Sequence, residues 1–281
     1  MPREPLGLRV VRAQAAVLGR PIEHSLSPVL HRAAYAALGL DWTYEAIDCG
    51  PDELAGVLGA RSDWAGFSCT MPLKRAVLDV ADEVRPLARA VGAANTLLPR
   101  PAGGWIAENT DVAGLVAALA ERPVDAGRVT LLGAGGTAQA AVAALAQIGV
   151  TACTVLVRER SRAAALVATA EAVGLAVTFA ALAADAPELA ADLVVSTLPP
   201  GAADPLAARA WTSGQALLDV VYDPWPTALA ASVDAAGGAV LSGALMLLHQ
   251  AAAQVELMTR RAAPVNAMRV ALRAAAPNCG V

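Results

Sequence analysis

Val129-Thr130-Leu131-Leu132-Gly133-Ala134-Gly135-Gly136-Thr137-Ala138 opens a run, Val129 to Val157, that contains no charged side chain. By hydropathy alone the run is long enough to cross a bilayer. Gly133, Gly135, Gly136 and Gly149 interrupt it, and Thr130, Thr137, Gln139 and Gln147 deny it a continuous lipid-compatible surface. It divides instead into a short strand, Val129 to Leu132, an Ala-rich segment of helical length, Gly136 to Ile148, and a β-branched strand, Cys153 to Val157. The first junction fits G-x-G-x-x-A. Gly133 permits the tight turn, Gly135 lets a pyrophosphate approach the backbone, and Ala138 is small enough for close helix-sheet packing. Free amides at the helix start would then face the phosphates. A glycine-rich turn that binds nothing has the same local pattern, but the strands on both sides favour dinucleotide binding.

Around this unit lies a chain of 281 residues, 56% of them hydrophobic, enough for a large core in one or two domains. With 21 basic against 25 acidic residues and few aromatics it carries no nucleic-acid footprint, so a small-molecule partner is expected. Cys49, Cys69, Cys153 and Cys279 are far apart and form no C-x-x-C pair. They indicate neither a zinc site nor a disulfide framework, and read as buried thiols in a reducing compartment. Met1 to Val10 carries Arg3, Glu4 and Arg9 and lacks the apolar core of a signal peptide. A cytoplasmic protein without a membrane partner is expected.

Upstream of the glycine motif, the strand Ala15 to Leu18 breaks at Gly19-Arg20-Pro21, and Pro28 starts a helix running to about Leu38. Ser25 and Ser27, two apart in the intervening loop, present their hydroxyls the same way in an extended backbone. Helix capping by Ser27 explains one serine; ligand binding explains both. A strand at Trp42 to Cys49, a short helix at Pro51 to Leu58 and a strand at Trp64 to Cys69 follow. The last ends in Thr70-Met71-Pro72-Leu73-Lys74, at the end of a strand, where open α/β sheets bind ligands. A helix N-terminus disfavours a cation, so the position of Lys74 asks for a reason beyond solvation. Asn95 precedes another strand, and Glu108-Asn109-Thr110-Asp111 precedes the helix Val112 to Glu121, where Asp111 is either an N-cap or part of a site.

Downstream, strands at Leu175 to Phe179, Asp192 to Ser196, Ala216 to Val221 and Ala239 to Leu241 continue the alternation into a doubly wound sheet. Thr197 and Leu198 leave one strand end at the edge of the cofactor crevice, and Tyr222 leaves the next. Two helices, Gly243 to Thr259 and Pro264 to Ala275, close the chain, with His249 read as a satisfied structural histidine. After Cys153 to Val157 comes Arg158-Glu159-Arg160-Ser161-Arg162. Val157 stands where an NAD enzyme commonly carries an acid, and Arg158 suits a 2′-phosphate, so NADP is the expected cofactor. Glu159 is the opposing signal.

The order and spacing of Gly19-Arg20-Pro21-Ile22-Glu23-His24-Ser25-Leu26-Ser27-Pro28, Thr70-Met71-Pro72-Leu73-Lys74, Ala94-Asn95-Thr96, Asn109-Thr110-Asp111, the glycine motif and Met246-Leu247-Leu248-His249-Gln250-Ala251 resemble shikimate dehydrogenases over nearly the whole chain. The resemblance implies an α/β protein. Residues 1–111 and 243–281 would form a substrate-binding catalytic domain and residues 112–242 a Rossmann-type dinucleotide-binding domain, with the C-terminal helices returning to the first. It implies reversible NADPH-dependent reduction of 3-dehydroshikimate to shikimate, with Lys74 and Asp111 as the catalytic pair. Ser25 and Ser27 would hold the substrate carboxylate, Thr70, Asn95 and Gln250 would hydrogen-bond the substrate, and Tyr222 would close over it. NADP would lie on Gly133, Ala134, Gly135, Gly136, Thr137, Ala138, Arg158, Thr197, Leu198, Gly243 and Met246; no metal is implied. A quinate or aminoshikimate dehydrogenase is the alternative with the same catalytic pair. A non-catalytic ligand sensor is the alternative that retention of Lys74 and Asp111 argues against. Three positions depart from the family pattern: Ser68 replaces a common Asn, Val112 a usual Gly, and Ser242 a frequent acid. The oligomeric state, monomer or homodimer, stays open.

Overall fold

The computed structural model describes residues 13–281. The reading of Met1 to Val10 falls outside them. Two six-stranded sheets organise the described chain. The first uses β1 (Ala13–Gly19), β2 (Trp42–Asp48), β3 (Gly66–Cys69), β4 (Glu83–Val84), β5 (Thr96–Pro99) and β6 (Trp105–Glu108), in the order β2-β1-β3-β5-β6-β4. Its strands pair in parallel except at β5, which runs antiparallel to both β3 and β6. The helices α1 (Ser27–Ala37), α2 (Leu54–Gly59), α3 (Leu73–Val80), α4 (Pro86–Val91) and α5 (Asp111–Ala120) connect or follow these strands.

The second sheet is wholly parallel, formed by β7 (Val129–Leu132), β8 (Ala152–Val157), β9 (Ala176–Ala181), β10 (Leu193–Ser196), β11 (Ala216–Asp219) and β12 (Ala239–Ser242) in the order β12-β11-β10-β7-β8-β9. The central strands β7, β10 and β11 are buried at every position, as expected of a parallel sheet covered on both faces. Covering helices are α6 (Gly136–Gln147), α7 (Ala164–Val173) and α8 (Ala228–Ala235). α6 buries eight consecutive residues, Ala138 to Leu145, six of them Ala or Val and none charged, which is why its sequence shows no amphipathic stripe. Strand order reverses between β7 and β10, and a ligand crevice opens at such a switch point.

Finally α9 (Gly243–Thr259) and α10 (Val265–Ala275) return to the first sheet. Ala244, Leu248, Ala251, Val255, Met268 and Leu272 share one core with Ala15, Val17, Leu30 and Tyr35. The expected boundaries hold to within a few residues; the strand β4, two residues long, is an addition.

Candidate active site

Lys74 lies at the second position of α3 and Asp111 is the first residue of α5. Their side chains meet, Nζ to Oδ2, at 2.6 Å, with the carboxylate only 6% exposed and the amine 26%. Asn95, just before β5, fixes the other carboxylate oxygen: its Nδ2 lies 2.9 Å from Asp111 Oδ1, 2.9 Å from Thr110 Oγ1 and 3.1 Å from Gln250 Oε1. An amide has two hydrogens for these three acceptors, so two of the acceptors share one of them. Asn95 Oδ1 in turn accepts the Thr110 N–H at 2.7 Å, which sets the amide's orientation. A buried carboxylate placed this way against an ammonium stays paired, and the ammonium keeps its remaining N–H donors for the cavity beside it.

Gln250 reaches the cluster because α5 and α9 cross at Gly114. A Cβ there would sit 2.8 Å from Gln250 Cβ and 2.9 Å from the Met246 carbonyl oxygen, so only glycine allows the approach. Four residues further along α9, on the same face, Gln254 does the second layer of support. Its Nε2 donates to the Asn95 carbonyl and to Thr96 Oγ1, both at 2.9 Å, and its Oε1 accepts from Ser68 Oγ at 2.7 Å. Ser68 Oγ accepts the Tyr44 hydroxyl at 2.5 Å. His31, fully buried and stacked on Tyr44 with ring centroids 4.0 Å apart, places Nε2 3.3 Å from Gln254 Oε1 and Nδ1 3.3 Å from the Tyr35 hydroxyl. This network assigns the imidazole the Nε2–H tautomer. Burial holds its pKa down at about 3, so the ring is neutral.

One cavity of about 200 Å³ is lined by Ser25, Ser27, Thr70, Lys74, Asn95, Asp111, Tyr222 and Gln250, which is every substrate residue expected from the sequence. Thr137, Gly243 and Met246, expected at the cofactor, line this cavity as well. Sequence reading did not single out Gln254 or Cys69, which also line it, and it noted Ser68 only as a departure. The i, i+4 spacing of Gln250 and Gln254 among the apolar residues of α9 was the available signal. The capping reading of Ser27 is corrected: α1 begins at Ser27, with Leu26 in the cap position and no side-chain cap. Ser25 Oγ instead accepts the Ser27 N–H at 3.3 Å, which leaves both serines on the cavity wall. Asp111 likewise makes no cap; Asn109 Oδ1 takes the Val112 N–H at 3.2 Å. Burial, with Asp223 adding to it, raises the Tyr222 pKa and keeps its hydroxyl protonated.

A second, larger crevice at the switch point is lined by Gly133, Ala134, Gly135, Gly136, Arg158, Glu159, Thr197 and Leu198. Gly133 has φ +97°, and a Cβ on it would lie 2.9 Å from Thr197 Oγ1. Cβ atoms on Gly135 and Gly136 would meet nothing within 4 Å, so their backbone is open to a phosphate. Ala138 is fully buried and serves the helix-sheet packing. The residues present fit a dinucleotide. Glu159, the doubtful acid, is ion-paired with Arg162, and Arg160 lies 3.5 Å over the Phe179 ring. Arg158 pairs with no carboxylate among the described residues and is exposed on the crevice wall.

The other departures are structural. Val112 is fully buried in the core that α5 shares with β7. Ser242 caps α9, accepting the Ala244 N–H at 3.2 Å and donating to the Cys279 carbonyl at 2.6 Å. His249 bonds Glu121 at 2.7 Å, as a structural histidine would. The four cysteines are unpaired and buried. Among the described residues no helix is long and apolar enough to cross a membrane, and no group of three or more His, Cys, Asp or Glu side chains could hold a metal ion.

Two family models match the chain: the shikimate dehydrogenase substrate binding domain over residues 17–97 and the shikimate 5'-dehydrogenase C-terminal domain over residues 243–273. The shikimate dehydrogenase (NADP(+)) of Natronomonas pharaonis is 39% identical over 271 residues, covering 92% of this chain and 97% of that one. The crystal structure of Mycobacterium tuberculosis shikimate dehydrogenase is similar with a TM-score of 0.86 at 51% identity, over 94% of this chain and 99% of that one. A quinate dehydrogenase from Corynebacterium glutamicum in complex with NAD has a TM-score of 0.85 at 30% identity, over 94% of this chain and all of that one.

Proposed function

The chain belongs to the shikimate dehydrogenase family, and on that premise we propose that it catalyses the reversible NADPH-dependent reduction of 3-dehydroshikimate to shikimate, within the supply of aromatic amino acids. The observation that carries this reading is the Lys74–Asp111 contact at 2.6 Å in a cavity that borders the glycine-loop crevice.

When bound, the nicotinamide supplies a hydride to the substrate carbonyl carbon. Charge then develops on the carbonyl oxygen, and Lys74 stabilises it and donates the proton that makes the alcohol. Asp111 holds the ammonium in place and accepts from a substrate hydroxyl. Asn95, fixed by Thr110 and Gln254, keeps the carboxylate from rotating away. Ser25 and Ser27 bind the substrate carboxylate with neutral donors, while Thr70 and Gln250 contact ring hydroxyls. Tyr222 and Met246 close the cavity and exclude water. Arg158 takes the 2′-phosphate.

Residues 1–111 and 243–281 form the substrate-binding unit in this reading, and residues 112–242 the nucleotide-binding unit. Shared core between α9 and the first sheet supports that division. Free, buried thiols suit a reducing cytoplasmic compartment. Following nicotinamide absorbance with shikimate and quinate, each with NADP and NAD, tests the assignment. Turnover best with shikimate and NADP supports it; turnover best with quinate and NAD makes the chain a quinate dehydrogenase, and no turnover with any pair refutes an enzymatic role.

A further inference from the structure

Two adjacent cations start α3, and they face different pockets. Lys74 lines the substrate cavity, whereas Arg75 lines the nucleotide crevice beside Gly133, Gly135 and Gly136. Consecutive residues on a helix diverge by about 100°, so a single turn of α3 serves both. Arg75 Nη2 donates to Gln139 Oε1 at 3.1 Å. Gln139 belongs to α6, the helix that starts at Gly136, and is 2% exposed with its Nε2 donating to Thr169 Oγ1 at 3.2 Å. That anchors the guanidinium over the N-terminal turns of α6, where the glycine backbone is open.

The bond to Gln139 is to a neutral acceptor and engages one of five guanidinium N–H groups. No carboxylate among the described residues pairs with Arg75, although it sits near the start of α3, where the dipole disfavours a cation. An anion in the crevice removes that penalty. Arg158 enters the same crevice from the end of β8 and Arg75 from the start of α3, so the two arginines reach it from different elements.

We propose that Arg75 binds the cofactor's pyrophosphate from across the cleft, joining the helix that carries Lys74 to the glycine loop. The proposal rests on the dinucleotide reading of the crevice. Cofactor binding thereby helps to fix the position of Lys74, since the two residues share one turn of helix.

Isothermal titration of the parent protein, Arg75→Gln and Arg75→Lys with NADPH, NADH, adenosine 2′,5′-bisphosphate and shikimate tests it. Loss of a charge-assisted contact at an exposed side chain weakens binding about tenfold. Arg75→Gln is expected to raise Kd for NADPH and NADH by that factor alike, with the bisphosphate, which has no pyrophosphate, and shikimate unchanged. Arg75→Lys retains part of the affinity. An unchanged NADPH Kd in Arg75→Gln, or a loss confined to ligands that carry the 2′-phosphate, overturns the proposal while leaving the cofactor reading intact. Failure of the parent protein to bind NADPH overturns both.

Discussion

Replacing His31 by Gln should flatten the acid limb of the protein's stability, and the size of the effect follows from the burial of the imidazole. In the folded protein the ring titrates at about 3, because desolvation disfavours its charged form, whereas the unfolded chain titrates near 6.5. The folded state is therefore the poorer proton binder. Stability from the neutral ring is complete above the unfolded value and is lost as pH falls from about 6.5 toward about 3. At one pKa unit per 1.36 kcal/mol, lowering the pH from 7 to 5 removes about 2 kcal/mol through this residue alone. A Gln amide at the position of Nε2 can still donate to Gln254 Oε1 and does not titrate. Urea unfolding of parent and His31→Gln at both pH values isolates the term, since all other titrating groups are common to the two. The expected result is a pH-dependent loss smaller by about 2 kcal/mol in the variant. Equal losses in the two proteins would mean that His31 is protonated in the folded state, and the tautomer assignment behind Gln254 and Asn95 would fail with it.

Gly114→Val should displace α9 from α5, since a Cβ at 114 lies 2.8 Å from Gln250 Cβ; a stability loss of about 1 to 3 kcal/mol and a raised KM for shikimate are expected, and a variant with parental values for both would remove the close crossing from the account. Shikimate should be preferred to quinate by about 10²-fold in kcat/KM, the usual limit for rejecting an added hydroxyl, if the two serines that line the cavity take the substrate carboxylate as proposed. Arg158→Ser should abolish preference for NADP over NAD, read from kcat/KM with each cofactor; retained selectivity would put the 2′-phosphate elsewhere.

The features legible in the sequence are those in which a local constraint leaves a residue-level trace. Gly133 is compelled by its positive φ and by the nearness of Thr197, so the turn could be read before the crevice was seen. The cluster of Ser25, Ser27, Lys74, Asn95 and Asp111 was legible through the resemblance to a family; local pattern alone left capping open for Ser27 and Asp111. What brings partners together over long sequence separation left no such trace. His31, Tyr44, Ser68 and Gln254 form one buried network, yet nothing local in any of them marks the other three. Glu159 opposes a 2′-phosphate on sequence alone, and its ion pair with Arg162 is a side-chain contact that the sequence does not mark. Strand β4 escaped because two half-buried residues carry no alternation to detect.

The central claim, that Lys74 held by Asp111 supplies the proton and the charge for carbonyl reduction, is tested most directly by the kcat of Lys74→Ala alongside its shikimate dissociation constant. Loss of a general acid predicts a fall in kcat of about 10² to 10⁴ with a much smaller change in affinity, because the remaining cavity residues still hold the substrate. A near-parental kcat in the variant would contradict the claim and leave Lys74 as a structural partner of Asp111.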